Sequence, residues 1–391
     1  MDSMKHDLRY GGTLAGKEEY NAIMRSVRKS IETGNWQAGE QARLFEQEAA
    51  KFLGVKHGVL TTSGSCAGLL ALSSFEFPKG LEVIIPAVTF PTIFNIILQC
   101  NLLPVVVDVG TDYVLDVKTV ERAITKNTKA IIAVHALGYP VDMPELMKLA
   151  RKHDIKVIED NCDGWGGAIG GKKLGAWGDI SITSFHGAHI VSTAGTGGGV
   201  FTNDKELAKK VRMYRDWGRQ ADTTKPNTYK ELPKDYNPRF IYEKIGYNFQ
   251  ILELQAAMGR VQLRKSDKIK KSRQKNAEYL IKHLSRFSDL ILPSPAENMD
   301  ICWFALPITT MGDRGLLVSF LEKHGIETRS LFSGNITRHP AYVNSKYAMA
   351  GELTDSDYIL EHSFWITVNP RLKKSDLEYI VSVFDEFYGK N

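Results

Sequence analysis

The stretch Ser184-Phe185-His186-Gly187-Ala188-His189 sets two imidazoles just after an apolar strand pattern. A histidine there can move a proton as a general base, but it cannot form the covalent Schiff base that a lysine would. Upstream, Thr62-Ser63-Gly64-Ser65-Cys66-Ala67-Gly68 follows an apolar run and opens a helical one. Backbone N–H groups at that helix start, with the Ser65 hydroxyl, could hold a phosphate. Val157-Ile158-Glu159-Asp160 ends a strand with a carboxylate able to pair with a protonated ring nitrogen, which would strengthen an aromatic heterocycle as an electron sink. Phe90 could stack on that ring, and Ser184 could be a second phosphate ligand. Taken singly, each has an ordinary structural reading: a cap, a turn, a core aromatic, a loop histidine.

These residues must be positioned by alternating strands and helices. Strand patterns run from Gly58 to Thr62, Leu81 to Pro86, Pro104 to Val109, Ala130 to His135, Lys156 to Asp160, Ile180 to Phe185 and Gly199 to Thr202. Between them lie helical segments such as Pro91 to Gln99, Val117 to Ile124 and Pro144 to His153. Such alternation predicts an α/β fold with a mainly parallel, seven-stranded sheet covered on both faces and ligands at the strand ends. Ahead of it, Ile23, Met24, Val27 and Ile31 form one helical stripe; Phe45, Ala49 and Phe52 form another, ended by Gly54. Gln220 to Arg239 reads as a long surface loop and Ile251 to Phe287 as one long helix. The remainder predicts a smaller α/β unit: strands Trp303 to Ile308, Glu327 to Phe332 and Phe364 to Val368, a helix from Arg314 to Lys323, and a closing helix from Asp376 to Tyr388 with a Ser375/Glu378 capping box. The expected division is a large domain over residues 1–250 and a small one, with the long helix, over residues 251–391.

The chain has 391 residues, 43% hydrophobic and 24% charged, ordinary for a soluble globular protein. No apolar run is long enough for a membrane span and residues 1–11 lack a signal-peptide core, so a cytoplasmic location is expected. A net charge of +5 without basic blocks argues against nucleic acid and suits a small anionic substrate. The four cysteines, Cys66, Cys100, Cys162 and Cys302, have no metal-ligand spacing and read as buried thiols.

In order and spacing, Ser63-Gly64-Ser65, Pro86-Ala87-Val88-Thr89-Phe90, Glu159-Asp160-Asn161-Cys162-Asp163, Gly178-Asp179-Ile180, Ser184-Phe185-His186 and Gly246-Tyr247-Asn248 resemble the sugar aminotransferase/dehydratase family of fold-type I pyridoxal-phosphate enzymes over nearly the whole chain. His189 stands where that family carries its Schiff-base lysine, which resembles the 3-dehydratase branch. Tyr214 to Arg219, Thr328 to Asn335 and Phe364-Trp365-Ile366 are especially similar to the members acting on CDP-linked sugars. Those members carry iron–sulfur cysteines between the segments matching Trp217 and Tyr247, and this chain has no cysteine there. No iron–sulfur cluster is therefore expected, and the chemistry should be that of the GDP-sugar members. Two further departures are His186, where dehydratases tend to have tyrosine, and Ala194-Gly195-Thr196-Gly197-Gly198-Gly199, where the family has Gly-Glu-Gly-Gly.

The resemblance implies that pyridoxamine phosphate condenses with the C4 ketone of a nucleotide-linked 4-keto-6-deoxyhexose. His189 would remove a proton from the cofactor's C4′ carbon, and the C3 hydroxyl would leave. Asp160 would keep the pyridine nitrogen charged, with Asp163 orienting the phenolic oxygen or a water. Gly64, Ser65, Phe90 and Ser184 would complete the cofactor site, and Asn248 would reach it across a homodimer. Re-amination by glutamate is expected. His186, Arg215, Arg219, Arg329 and Phe332 are the substrate-side candidates, with surface salt bridges the competing reading for the arginines. An aminotransferase would need a lysine near His189; the nearest upstream are Lys172 and Lys173, in a predicted turn. A non-catalytic sugar-nucleotide or cofactor-binding protein is the other alternative.

Overall fold

The apolar runs between residues 57 and 202 are too continuous to leave a sheet face wet, and they pair into one sheet buried on both sides. A computed structural model describes residues 8, 9, 11, 13–220, 224 and 227–389. Its main sheet has the spatial order His57–Thr61, Gly198–Thr202, Ile180–Ser184, Lys156–Asp160, Thr128–Val134, Glu82–Pro86, Leu103–Val107 and Ala348–Met349. Gly198–Thr202 is antiparallel to both its neighbours, and the remaining pairings are parallel. The seven expected strands are all present, their ends shifted by no more than two residues. The eighth, Ala348–Met349, arrives from the C-terminal part and is too short to show a periodic pattern.

Side chains alternate between two cores, as strand geometry requires. Ile84, Ile131 and Val157 face a cluster that also holds Leu306, Ile308, Phe364 and Phe384 from the C-terminal part. Val83, Ile85, Ala130, Ile132 and Ile158 face the other way, against Leu70, Phe94 and Ile97 and also Ile336 and Tyr342. Both cores thus draw on residues from either side of position 251. The second sheet, in order Leu290–Ile291, Leu306–Thr310, Ser363–Ile366 and Thr328–Ser330, is antiparallel throughout.

Three expectations shift. The strand predicted from Trp303 begins only at Leu306, because the Phe304 N–H is taken by the Leu137 carbonyl at 2.9 Å. The closing helix starts at Lys374, so no Ser375/Glu378 box forms; the Asp376 carboxylate instead accepts the Lys373 N–H at 2.7 Å, and Glu378 pairs with Lys374. The first helix, Lys17–Thr33, turns its predicted apolar stripe outward: Ile31 is 68% exposed, while Ala22, Ser26 and Ser30 are buried. Small side chains let this helix lie close on Ala257 and Val261, and the buried Glu19 is satisfied by Lys265 and Gln262 at 2.7 Å each. In the expected loop from Gln220 to Arg239, residues 221–223 and 225–226 lie outside the described residues; the rest is turns until the short 3-10 segment Pro238–Phe240. Among the described residues no helix is long and apolar enough to cross a membrane.

The long helix, Glu253–Leu284, packs at Gly259 directly on the core: a Cβ there would stand 2.3 Å from Phe45 Cε1 and 2.7 Å from Thr193 Cγ2. Alanine favours a helix over glycine by about 1 kcal/mol, whereas forcing a methyl into a filled core costs about 1–3 kcal/mol. Gly259→Ala should therefore lower the thermal unfolding midpoint, and pairing it with Phe45→Leu should return part of the loss. A rise in the midpoint for the single variant would show that the contact yields freely.

Candidate active site

Parallel neighbours bring the carboxyl ends of Lys156–Asp160 and Ile180–Ser184 side by side, with Asp160 in register with Ile182. They open onto a cavity of about 440 Å³. Gly64, Ser65, Phe90, Asp160, Asp163, Ser184, His186, His189, Arg329 and Phe332 all line it, so most of the sequence-expected residues converge.

One end suits an anion. Ser63 caps the helix Gly64–Ser74, its Oγ accepting the Cys66 N–H at 3.1 Å. The N–H groups of Gly64 and Ser65, in the first turn, have no acceptor within the helix, and the helix end carries partial positive charge. Ser65 Oγ lies 2.6 Å from Thr92 Oγ1. Ser184 meets the same turn: a Cβ on Gly64 would stand 2.8 Å from Ser184 Cβ, so only glycine allows this approach. Thr196 Oγ1 donates to the Thr62 carbonyl at 2.5 Å and pins the turn from the altered glycine segment.

The middle of the cavity holds an uncompensated carboxylate. Asp160 is buried, and that burial pushes its carboxyl above the ordinary carboxylate range, with Asp163 nearby pushing the same way. Its Oδ1 accepts the Cys162 N–H at 3.1 Å. Burial and these two carboxylates also raise the Cys162 thiol well above its usual value, so Cys162 stays protonated. The pleat sends the adjacent Glu159 the other way, where it accepts the N–H groups of Gly175, Trp177 and Gly178 at 2.7, 2.5 and 2.6 Å. His135 stands between the two. Its Nδ1 accepts the Val141 N–H at 3.2 Å, which leaves its proton on Nε2, 3.3 Å from Glu159 Oε2. Both ring nitrogens are thus engaged with groups other than Asp160, which forms no ion pair among the described residues. A ring with a protonated nitrogen fits that position, and Phe90, 57% exposed at the mouth, offers a face to stack on it.

At the far side, His189 Nδ1 is 3.3 Å from Asp163 Oδ1, yet outside hydrogen-bonding geometry. Asp163 Oδ2 accepts the Leu137 N–H at 3.3 Å, which fixes the carboxylate. His189 thus presents Nδ1 to an anion and Nε2 to the cavity. Its ring is 6.2 Å from that of His186, whose imidazole is pulled below its ordinary value by burial and then by His189. The residues present fit pyridoxal or pyridoxamine phosphate: an anion turn, a carboxylate lacking a cation and a base lie along one wall.

Three expected residues are elsewhere. Arg215 is buried, its Nη1 donating to Glu46 Oε1 at 3.0 Å and the Leu60 carbonyl at 3.2 Å, its Nε to Asp216 Oδ1 at 2.9 Å. It ties the helix Glu40–Leu53 to the strand His57–Thr61 and is withdrawn from the substrate set. Arg219 lies over the rings of Trp217 and Phe240, at 5.3 and 6.0 Å, away from the cavity lining. Asn248 bridges to Asp216 through its backbone, also outside this chain's cavity. Arg329 does reach the cavity, held beside Glu327 by an ion pair. Conversely, Thr92, His135, Thr196, Phe304 and Trp365 line the cavity without having been singled out. Of these, Trp365 carried a signal inside the Phe364-Trp365-Ile366 match and Thr196 one inside the altered Ala194–Gly199 run.

The model of the DegT/DnrJ/EryC1/StrS aminotransferase family matches residues 17–385. The lipopolysaccharide biosynthesis protein RfbH of Salmonella typhimurium is 37% identical over 405 aligned residues, 97% of this chain and 91% of that protein. The dTDP-4-dehydro-2,6-dideoxy-D-glucose 3-dehydratase of Saccharopolyspora spinosa is 39% identical over 378 residues, 90% of this chain and 81% of that one. Among solved structures, the E. coli GDP-4-keto-6-deoxy-D-mannose-3-dehydratase with bound hydrated PLP superposes with a TM-score of 0.87 at 25% identity, covering 97% of this chain and 99% of the other. The chain belongs to the DegT/DnrJ/EryC1/StrS aminotransferase family, and is a fold-type I pyridoxal-phosphate enzyme that modifies nucleotide-linked sugars.

Proposed function

We propose that this chain removes the C3 hydroxyl of a nucleotide-linked 4-keto-6-deoxyhexose, with His189 as the base and pyridoxamine phosphate as an untethered cofactor. The observation that carries the reading is the base position itself. A histidine facing Asp163 occupies it, and among the described residues no lysine lines the cavity. Lys172 and Lys173 sit on the hairpin Ala168–Ile169/Lys172–Lys173, their ammonium groups over the rings of Trp177 and Phe52. Relatives named as 3-dehydratases support the reading.

Bound pyridoxamine phosphate would supply the amino group that joins the C4 ketone and a ring that accepts electrons. The Gly64–Ser65 turn, with Ser184, holds the phosphate. Asp160 holds the proton on the ring nitrogen, and Phe90 covers one ring face. His189 Nε2 takes a proton from C4′, and the resulting imidazolium, steadied by Asp163, returns it to the departing C3 oxygen. Electrons for the net loss of oxygen come from glutamate, which leaves as its 2-oxo acid while its amino nitrogen, passed through the cofactor, is released from the dehydrated sugar as ammonia on hydrolysis, so neither an iron–sulfur centre nor a reductase is required. Arg329 and Phe332, at the cavity rim, face the sugar nucleotide or the donor carboxylate. Asn248 serves the phosphate of a partner copy in a homodimer, and the exposure of Phe240, Tyr242, Ile245 and Leu252 around it supports such a face.

Incubation with pyridoxal phosphate, glutamate and a panel of nucleotide-linked 4-keto-6-deoxyhexoses should yield a sugar lighter by one oxygen. A product that has gained an amino group would make the chain an aminotransferase instead. Borohydride should leave the parent chain unlabelled, whereas His189→Lys should carry covalent cofactor by intact mass and no longer dehydrate. A parent chain that traps cofactor on any lysine contradicts the proposal.

Asp160→Asn separates binding from proton transfer. Losing a charge-assisted hydrogen bond costs about 1.5–3 kcal/mol, so cofactor affinity should fall about 10- to 100-fold. The cofactor-free chain should respond oppositely. A carboxyl whose folded pKa is raised adds most to stability below its unfolded pKa, and that contribution disappears as pH rises through the folded value. Cofactor-free Asp160→Asn should thus be more stable than the parent near neutral pH, with the difference shrinking on acidification. Melting curves across pH test the sign; a parent that outlasts the variant at neutral pH would mean Asp160 has a cation partner of its own.

A further inference from the structure

Arg273 lies within Glu253–Leu284 and is 2% exposed. No carboxylate forms an ion pair with it among the described residues; its Nη1 donates to the carbonyls of Trp303 at 3.2 Å and Phe304 at 2.6 Å, and its Nε has no hydrogen-bond partner. Burying a guanidinium without a carboxylate is costly, and burial pulls this one below the ordinary arginine value. A buried cation so poorly compensated is an expensive way merely to fill a core.

What it grips explains it. Phe304 precedes the strand Leu306–Thr310, and both its backbone groups are fixed: the carbonyl by Arg273 and the N–H by the Leu137 carbonyl at 2.9 Å. Its ring lies 5.2 Å from the His189 ring and 5.9 Å from that of Trp365. Leu137 sits at φ 52°, a left-handed conformation that a leucine holds only where its surroundings impose it. The Leu137 N–H donates to Asp163 Oδ2, and Asp163 Oδ1 faces His189 Nδ1. The contacts close a ring: Arg273 holds Phe304, Phe304 holds Leu137, Leu137 holds Asp163, and both Asp163 and the Phe304 ring bear on His189.

We propose that Arg273 is a positioning residue for the His189 base, holding the imidazole between the Phe304 ring and the Asp163 carboxylate by fixing the Phe304 peptide. The proposal rests on the dehydratase reading for what His189 does, but not for where it points.

The test uses the full chain with Arg273→Met, Arg273→Lys and Phe304→Leu, and three measurements: hydrogen exchange at C4′ of bound pyridoxamine phosphate, affinity for that cofactor, and the His189 ring-nitrogen resonances of histidine-labelled protein. Misplacing a reacting group by about 1 Å costs on the order of 10²-fold, so exchange in Arg273→Met should fall by about that factor, with cofactor affinity little changed and the His189 resonances displaced. Arg273→Lys, which keeps the charge and a donor, should recover most of the exchange. Phe304→Leu should displace the same resonances although the carbonyl Arg273 grips is still present. Unmoved His189 resonances in Arg273→Met overturn the proposal, as does a loss of exchange matched by an equal loss of cofactor affinity. Should Arg273→Met fail to fold, Phe304→Leu decides in its place, and unmoved resonances there are fatal. If the parent and His189→Asn exchange at the same rate, it is the dehydratase reading that fails, while the resonances still test the positioning.

Discussion

A carboxylate buried without a cation is the constraint on which the rest of this site depends. Asp160 ends a central strand whose backbone cannot move without breaking its pairing to both neighbours, so its charge is fixed in place. Among the described residues it forms no ion pair: its Oδ1 accepts the Cys162 N–H, both His135 ring nitrogens are engaged with Val141 and Glu159, and Glu159 spends its own charge on three backbone N–H groups. On the proposed reading a protonated ring nitrogen would complete this cavity, and the turn at Ser63–Ser65 would take the phosphate end of the same ligand.

The same parallel register that places Asp160 also places the turn after Ser184, and hence His189. Two carboxylates, Asp160 and Asp163, then stand close together, and Asp163 adds to the burial that raises the Asp160 carboxyl. Asp160 has no ion-pair partner among the described residues, whereas Asp163 accepts the Leu137 N–H on one oxygen and faces the His189 imidazole with the other. On the proposed reading that division would let one small cavity hold an electron sink and a proton acceptor without merging them.

Much of this was legible in the sequence because strand ends and helix starts are local features. Ser63-Gly64-Ser65, Asp160 and His189 each sit at a junction that periodicity locates, and family resemblance joins them. Phe304 was not legible as a site residue, because it reaches the cavity by packing against His189, more than a hundred residues away in sequence. The Arg215 assignment failed for a related reason: an arginine beside an aspartate reads alike whether it meets substrate or a buried Glu46, and only tertiary contact decides. The first helix inverted because its close partner selects small side chains, Ala22, Ser26 and Ser30, over apolar ones; a hydrophobic stripe then marks the face left over. The eighth strand, two residues long, has no period to read.

A covalent anchor does more than start a reaction; it holds the ring in one orientation without relying on non-covalent contacts. With a histidine at the anchor position, as proposed, orientation would come from the turn at Ser63–Ser65, the Asp160 pair and the stacking face alone, each worth little unless its protein side is already rigid. That requirement accounts for features a tethered site could relax. Gly64 brings Ser184 into contact with the phosphate turn, Thr196 fastens that turn from above, and Leu137 is kept in a left-handed conformation at the edge of the base. In the Ala194–Gly199 run, where the resembled family has Gly-Glu-Gly-Gly, the Thr196 hydroxyl bonded to the Thr62 carbonyl stiffens the turn at Ser63–Ser65 without bringing an acidic side chain to it.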